Sequence, residues 1–322
     1  MIFILSGFLL GIAGSWFVIH FGARLGLMDI PTSRSSHNRE IPKGAGVGIL
    51  SAIVMFGLIL EIPFFIWVPA MVISATSFWG ADRNVLSVSI RLMIQFGCAL
   101  FFLFFFLMSK QAGVWAWLAW IPVLFFIVGT ANFYNFMDGI NGIAGITGFI
   151  AFSLMGFHVW TSGGDPVYIA WSLVIAFSCL GFLIFNIPIA RVFIGDVGSV
   201  LLGFVFACLV VFLSEDVTDF LVMAGFMAPF YFDELFTMVI RIRDKDLLTK
   251  PHRKHIYQIL ANEAGIGHCW ISVGYGLMQV VIGISVKVAQ PAGTVFLLGV
   301  YMMYGLAFVI FSVMVRKKFA DR

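Results

Sequence analysis

Asn186 to Ser199 reads NIPIARVFIGDVGS, and it lies between two long apolar runs. The stretch carries one arginine, one aspartate and three residues that break or loosen a helix: Pro188, Gly195 and Gly198. A charged break between two runs of membrane length is either a plain loop or a site. An aspartate just before a helix is a common N-cap, and that is the plain reading of Asp196. The sharper reading takes the two glycines as small neighbours that admit a ligand to the backbone. It takes the amides that open the next helix as a seat for phosphate, and Asp196 as a metal ligand.

The composition sets the frame. The 322 residues are 61% hydrophobic and 11% charged, against roughly 25% charged in a soluble domain. This is the balance of an integral membrane protein, and the 37 Phe suit lipid-facing helices. The four cysteines (Cys98, Cys179, Cys208, Cys269) lie in or beside apolar runs without CxxC spacing, so they read as small core residues. The first run has no basic residue ahead of Ile2 and no clear small-residue cleavage site, which predicts a retained membrane helix rather than a cleaved signal.

A spanning helix needs about 20 mainly apolar residues. Eleven such runs are expected, near 2–22, 45–61, 63–80, 90–109, 115–134, 142–161, 167–185, 199–214, 219–240, 268–288 and 292–315. The FFLFFFL of Phe101 to Leu107 has none of the alternation of a membrane β-strand. The expected fold is therefore an all-α polytopic membrane protein, one domain over residues 1–322. An odd number of spans puts the termini on opposite faces. All but two of the 19 Lys and Arg residues then fall on one face, the exceptions being Lys110 and Lys287. The positive-inside rule makes that face cytoplasmic, with the N-terminus outside and the C-terminus inside.

The loops of the basic face carry the chemistry. The first, DIPTSRSSHNREIPKGAG from Asp29, offers Arg34, His37, Arg39 and Lys43 to an anionic headgroup or phosphate. The second, GADRNVLSVSIR from Gly80, holds Asp82 and Arg83 and predicts a helix start near Leu86 to Arg91 with Ser87 as cap. The third, NFYNFMDGINGIAG, repeats Asn132, Asn135, Asp138 and Asn141 every three residues, one broad face if the segment is helical. The plain reading there is a polar helix–helix contact; a charge at the membrane boundary, at a cost of about 2.5–3.5 kcal/mol, favours a site. The fourth is the opening stretch, with Arg191 and Asp196. The fifth, from Arg241 to His268, predicts a short helix over Ile256 to Ala264 behind the basic cluster His252, Arg253, Lys254 and His255. Two His three residues apart without a further ligand do not make a zinc site, so phosphate contact is the better use. Asp233 and Glu234 interrupt the ninth run upstream of Arg241. Carboxylates ringed by cations on one face suggest metal-dependent phosphoryl transfer. A carrier would place its charges nearer the bilayer midplane, often in repeats.

These motifs resemble the polyprenyl-phosphate N-acetylhexosamine-1-phosphate transferases over nearly the whole chain. DIPTSRSSHNREIPKGAGVGI is similar to the family's first-loop signature, NFYNFMDGINGIAG to its N-x-x-D-G type motif and ARVFIGDVGSVLLGF to its F-x-G-D-x-G-S motif. DELFTMVIRI with PHRKHIYQIL is similar to the signatures of the branch that starts bacterial O-antigen and related surface polysaccharides. The resemblance implies a bacterial inner-membrane enzyme that transfers a sugar 1-phosphate from a UDP-N-acetylhexosamine to undecaprenyl phosphate and releases UMP. It implies Mg²⁺, with Mn²⁺ as the alternative, held by Asp196 with Asp138. It implies catalytic roles for Asp82, Asp138 and Asp196, and binding roles for Arg34, His37, Lys43, Arg83, Asn132, Asn135, Asn141, Arg191, Asp233, Arg241, His252, Arg253 and His255. The expected partners are the two substrates, membrane lipids and a second copy of the chain in a homodimer, with no nucleic acid.

One departure stands out. The family's second loop usually reads D-D-R, and its first aspartate is often assigned to activating the lipid phosphate. Here the loop reads Ala81-Asp82-Arg83, and alanine neither accepts a proton nor holds a metal. Either Asp82 carries the load in a natural variant, or the chain is an inactivated form of a normal enzyme. The alternatives in other classes are a membrane carrier of a lipid-linked or phosphorylated sugar and a catalytically dead binding or assembly subunit.

Overall fold

The computed structural model describes residues 1–31, 39–81, 86–110, 120–247 and 252–319. Helix α1 (Ile2–Phe21) leads to two short strands, β1 (Met28–Asp29) and β2 (Ile41–Pro42), which pair antiparallel. Then follow α2 (Gly46–Ile59), α3 (Phe64–Thr76) with a π-helical extension over Ser77–Ala81, α4 (Val88–Ser109), α5 (Ile121–Phe136), α6 (Ile143–Thr161) and α7 (Pro166–Asn186). The chain continues with α8 (Asp196–Leu213), α9 (Val217–Ala224), a 3₁₀ turn (Gly225–Met227), α10 (Ala228–Arg243), α11 (Ile256–Asn262), α12 (His268–Ala289) and α13 (Thr294–Phe319).

The protein is an all-α polytopic membrane protein. Among the described residues, eight helical stretches are long and apolar enough to cross a membrane, and Gly46–Ile59, Phe64–Gly80 and Ile121–Phe136 are shorter apolar helices. Each expected run has one of these at its place. Boundaries move for physical reasons. The run expected from 199 starts at Asp196, because Gly195 turns the chain into the helix with φ 71°. The ninth run is interrupted by the 3₁₀ turn ahead of Pro229, whose ring suits a fresh helix start but not an interior.

Helix α8 is the axis of the bundle. Every residue from Val197 to Val211 is buried, as expected for a helix apolar on all sides. It packs against α2, α3 and α5. At its first turn the backbones of α8 and α2 touch: a Cβ on Gly198 would stand 2.8 Å from Gly46 Cα, and one on Gly46 only 2.3 Å from Gly198 Cα. Small residues are what permit such an approach between membrane helices. The preceding segments zip together. Phe193 N–H donates to Pro42 O (2.9 Å), Gly44 and Ala45 donate to Phe193 O (3.0 Å each), and Gly46 donates to Ile194 O (2.9 Å). The first and fourth loops thus form one backbone unit, and Ser74 of α3 donates to Val197 O (2.7 Å) to add a third element.

Replacing Gly198 by Ala is expected to lower the Tm of the purified protein, by about 1–3 kcal/mol of stability, the usual cost of overpacking. Gly97→Ala is the control, since nothing lies within 4 Å of its added carbon. Equal thermal unfolding of the two variants would contradict this account of the α2–α8 contact.

Candidate active site

Asp196 is the first residue of α8, and Gly195 occupies the N-cap position without a side-chain cap bond. The plain capping role therefore does not describe Asp196. Its carboxylate instead meets side chains from two other helices. Arg91 Nη1 donates to Oδ2 at 2.5 Å, and Asn135 Nδ2 donates to Oδ1 at 3.0 Å. Asn135 also reaches Ser199 Oγ, one turn into α8, at 2.8 Å. Asn132, one turn back on α5, donates to Gln95 Oε1 of α4 at 2.6 Å. The N-terminal ends of α4 and α8 and the C-terminal end of α5 thus share one polar cluster.

The cluster forms the wall of a cavity of about 550 Å³, within the range of small-molecule sites. Arg91, Gln95, Asn132, Asn135 and Asp196 line it together with Arg241, His252 and His255 from the end of α10 and the fifth loop. Ser77 and Gln258 complete the polar lining, and the rest of the wall is apolar: Val88, Leu92, Phe96, Phe125, Val128, Phe136 and Val200, with Gly129 among them. A polar end with cations and a carboxylate opens directly into an apolar chamber.

The fifth loop is rooted in the bundle. Asp233 is fully buried. Its Oδ2 accepts from Tyr275 of α12 (2.6 Å), and its Oδ1 from the Ile256 amide (3.1 Å) and Thr237 (3.1 Å). His255 lies between Asp233 (3.5 Å) and Glu234 (3.3 Å). Tyr257 donates to Phe136 O at the end of α5 (2.9 Å), and Arg316 of α13 donates to Lys254 O (2.6 Å). Such a connected buried network holds a loop in one place. Lys254 faces Asp244 and Asp246 at 2.8 Å each, and those hydrogen bonds raise its pKa. Burial, with His255 and Arg241 as cationic neighbours, holds His252 below its ordinary value, down to about 4.

The structure brings together Asn132, Asn135, Asp196, Arg241, His252 and His255 of the expected set. Others stand elsewhere. Asp138 follows the end of α5, half-buried, with its amide on Asn135 O. Helix α5 stops at Phe136, so the three-residue spacing of the asparagines does not run through Asn141. That residue is held by Ser272, which donates to its carbonyl (2.8 Å), and by His268, which accepts from its amide (3.4 Å). Asp233 is a buttress in the interior. Lys43 pairs with Asp29 (3.6 Å), Arg191 is exposed, and Arg253 is half-buried outside the cavity wall. Arg34, His37, Asp82 and Arg83 lie outside the described residues; Ala81 closes the π-helical extension of α3.

Four polar residues of the cavity wall are absent from the expected set: Ser77, Arg91, Gln95 and Gln258. Ser87 caps α4, accepting from Ile90 N (3.4 Å) as the sequence predicts. Arg91 is the fourth residue of that helix. A cation there opposes the helix dipole, and this was the available sign that something other than helix stability places it. Asn186 is likewise a hub: its Oδ1 accepts from Gly142 N (2.6 Å) and its Nδ2 donates to Val192 O (2.9 Å), tying the third loop to the fourth.

The arrangement suits a hard divalent cation. No group of three or more His, Cys, Asp and Glu gathers as a ligand set among the described residues, which disfavours an all-protein cage. Mg²⁺ sites need only one or two carboxylates and take the rest of their shell from water and phosphate. The Asp196 carboxylate already meets a cation, Arg91, at the cavity wall.

The chain has recognisable relatives among known proteins. The profile of glycosyl transferase family 4 matches residues 63–214, a span that runs from α3 to the end of α8. The chain carries that match over just under half of its length. It is similar to a probable undecaprenyl-phosphate N-acetylglucosaminyl 1-phosphate transferase of Bacillus subtilis, 27% identical over 84% of this chain and 79% of the relative. It is similar to an undecaprenyl-phosphate α-N-acetylglucosaminyl 1-phosphate transferase of Thermotoga maritima, 28% identical over 83% of this chain and 84% of the relative. A phospho-N-acetylmuramoyl-pentapeptide-transferase of Staphylococcus saprophyticus is 29% identical over 51% and 52%. The chain is a membrane transferase.

The lowered pKa of His252 has a consequence for stability. Its folded pKa of about 4 lies below the ordinary 6.5, so the unfolded chain binds the proton more readily and the fold loses stability as pH falls through that window. His252→Gln is expected to reduce the fall in Tm between about pH 6.5 and 4. An unchanged pH dependence would contradict the burial of a neutral imidazole.

Proposed function

We propose that this chain transfers an N-acetylhexosamine 1-phosphate from a UDP-sugar to undecaprenyl phosphate, with release of UMP. The observation that carries the reading is the cavity itself, in which charged groups and an apolar wall share one space. That is the shape of a site for a phosphate on a long hydrocarbon. A carrier would hold its polar groups near the middle of the bilayer; here they gather where α4 and α8 begin and α5 and α10 end.

In this reading an oxygen of the lipid phosphate forms a bond to the β-phosphorus of the donor. The bond from that phosphorus to the bridging oxygen breaks, and UMP departs with the oxygen. Arg241, His252 and His255 receive the donor phosphates at the polar end. Asn135 and Arg91 fix the direction of the Asp196 carboxylate, and Ser199 fixes Asn135. Leu92, Phe96, Phe125 and Val128 take the first isoprene units. Asp196, with Asp138 as the second carboxylate that the resemblance implies, would hold Mg²⁺ or Mn²⁺, which when bound neutralises charge on the phosphate oxygens. The basic face is cytoplasmic, the side on which a nucleotide sugar is supplied, and the membrane is the bacterial inner membrane. The fifth-loop pattern HRKHIYQ, similar to that of the O-antigen branch, supports a product that starts O-antigen or a related surface polysaccharide.

Ala81 lowers turnover in this reading, because it stands where the resemblance expects a carboxylate. Purified protein incubated with UDP-N-acetylglucosamine, undecaprenyl phosphate and Mg²⁺ is expected to release UMP slowly, and the Ala81→Asp form to release it much faster. Asp196→Asn in the Ala81→Asp background should lose at least about a hundredfold in kcat, the scale of removing one charge-stabilising group. No UMP from either the chain or its Ala81→Asp form would contradict the proposal and leave the carrier or the inactive subunit standing.

A further inference from the structure

The ion pair between Arg91 and Asp196 spans two helix starts, and the two partners differ in what holds them there. Asp196 opens α8, where the helix dipole favours negative charge. Arg91 sits in the first turns of α4, where the same effect opposes it. Its guanidinium stays because Asp196 accepts from it, and it is only partly satisfied: Arg91 Nε is buried and has no hydrogen-bond partner among the described residues. Both groups line the cavity, with side chains 33% and 25% exposed.

We propose that Arg91 is the built-in counter-ion of Asp196, which a divalent cation must displace, so that Arg91 sets the metal affinity of the site. This rests on the proposed reading of Asp196 as a metal ligand and extends it to a residue outside the expected set. A carboxylate oxygen engaged by a guanidinium at 2.5 Å has that lone pair occupied, and a second cation beside the guanidinium meets like-charge repulsion. Asn135 on the other oxygen is neutral and donates through an amide; it orients the carboxylate without competing for charge. Without Arg91, Asp196 loses one charge-assisted bond that a metal would otherwise have to break. With Arg91, that bond competes with the metal for the carboxylate. Displacement leaves the guanidinium on the cavity wall with donors to offer an anion, so metal and anion binding favour each other.

The sign of one substitution separates this role from simple scaffolding. Mn²⁺ binding to the full-length protein in detergent, read by electron paramagnetic resonance without substrate, is expected to tighten roughly threefold to tenfold in Arg91→Gln, the scale of losing one partly exposed charge-assisted bond. If Arg91 merely holds Asp196 in place, Arg91→Gln weakens Mn²⁺ binding or leaves it unchanged, and either result overturns the proposal. Asp196→Asn provides the reference. If it removes the bound Mn²⁺ signal, the metal reading stands and the Arg91 result decides the inference alone. If Mn²⁺ binds equally well to Asp196→Asn, the metal reading itself fails. Should Arg91→Gln not fold, Arg91→Met removes the charge while keeping an apolar stem; tightened Mn²⁺ binding supports the counter-ion role, and unchanged or weaker binding overturns it.

Discussion

The backbones of Gly46 and Gly198 meet with no room for a side chain on either, and the polar end of the molecule depends on that contact. It sets the first turn of α2 against the first turn of α8. The hydrogen bonds between Pro42–Gly46 and Phe193–Ile194 then join the first and fourth loops into one piece. Asp196 is placed by this unit rather than by a flexible loop. Its carboxylate consequently stands where Arg91 of α4 and Asn135 of α5 can both reach it. Geometry of this kind, with a reactive group on the rigid start of a buried helix, keeps a site ordered without any ligand to organise it.

A second network supports the opposite wall. The buried Asp233 joins α10, α11 and α12 through Tyr275 and the Ile256 amide, and Tyr257 and Arg316 tie the same loop to α5 and α13. His252 and His255 reach the cavity from this base. Removing one partner of such a network leaves a buried polar atom unsatisfied, which costs more than the hydrogen bond gained. The price of burying Asp233 is thus offset by positional control of the two histidines.

Much of this was legible in the chain itself. The apolar runs report the helices because a spanning helix has to be long and continuously apolar, and Asp196, Asn135, His252 and His255 announce themselves as polar residues beside such runs. Gly195 was legible as a break, but not as the residue that starts the helix and frees Asp196 from capping. Arg91 was hidden because its partner lies 105 residues away and it looks like an ordinary boundary arginine. Asp233 read as a substrate contact, since an aspartate interrupting an apolar run is conspicuous whether it faces a ligand or a tyrosine. The even spacing of Asn132, Asn135, Asp138 and Asn141 suggested one face, yet α5 ends at Phe136, and the Gly142 turn at φ 89° sends the last of them towards α12.

The account makes the cavity a place where phosphorus, not only sugar, changes hands. The fate of the donor's β-phosphorus tests this most directly. UDP-N-acetylglucosamine labelled at that phosphorus is incubated with undecaprenyl phosphate, Mg²⁺ and the protein in its original and Ala81→Asp forms, and the lipid is extracted. The predicted result is label in a lipid-linked diphosphate sugar that grows as UMP grows, and faster in the Ala81→Asp form. Label retained on the nucleotide as UDP, with sugar alone passing to the lipid, would contradict the account.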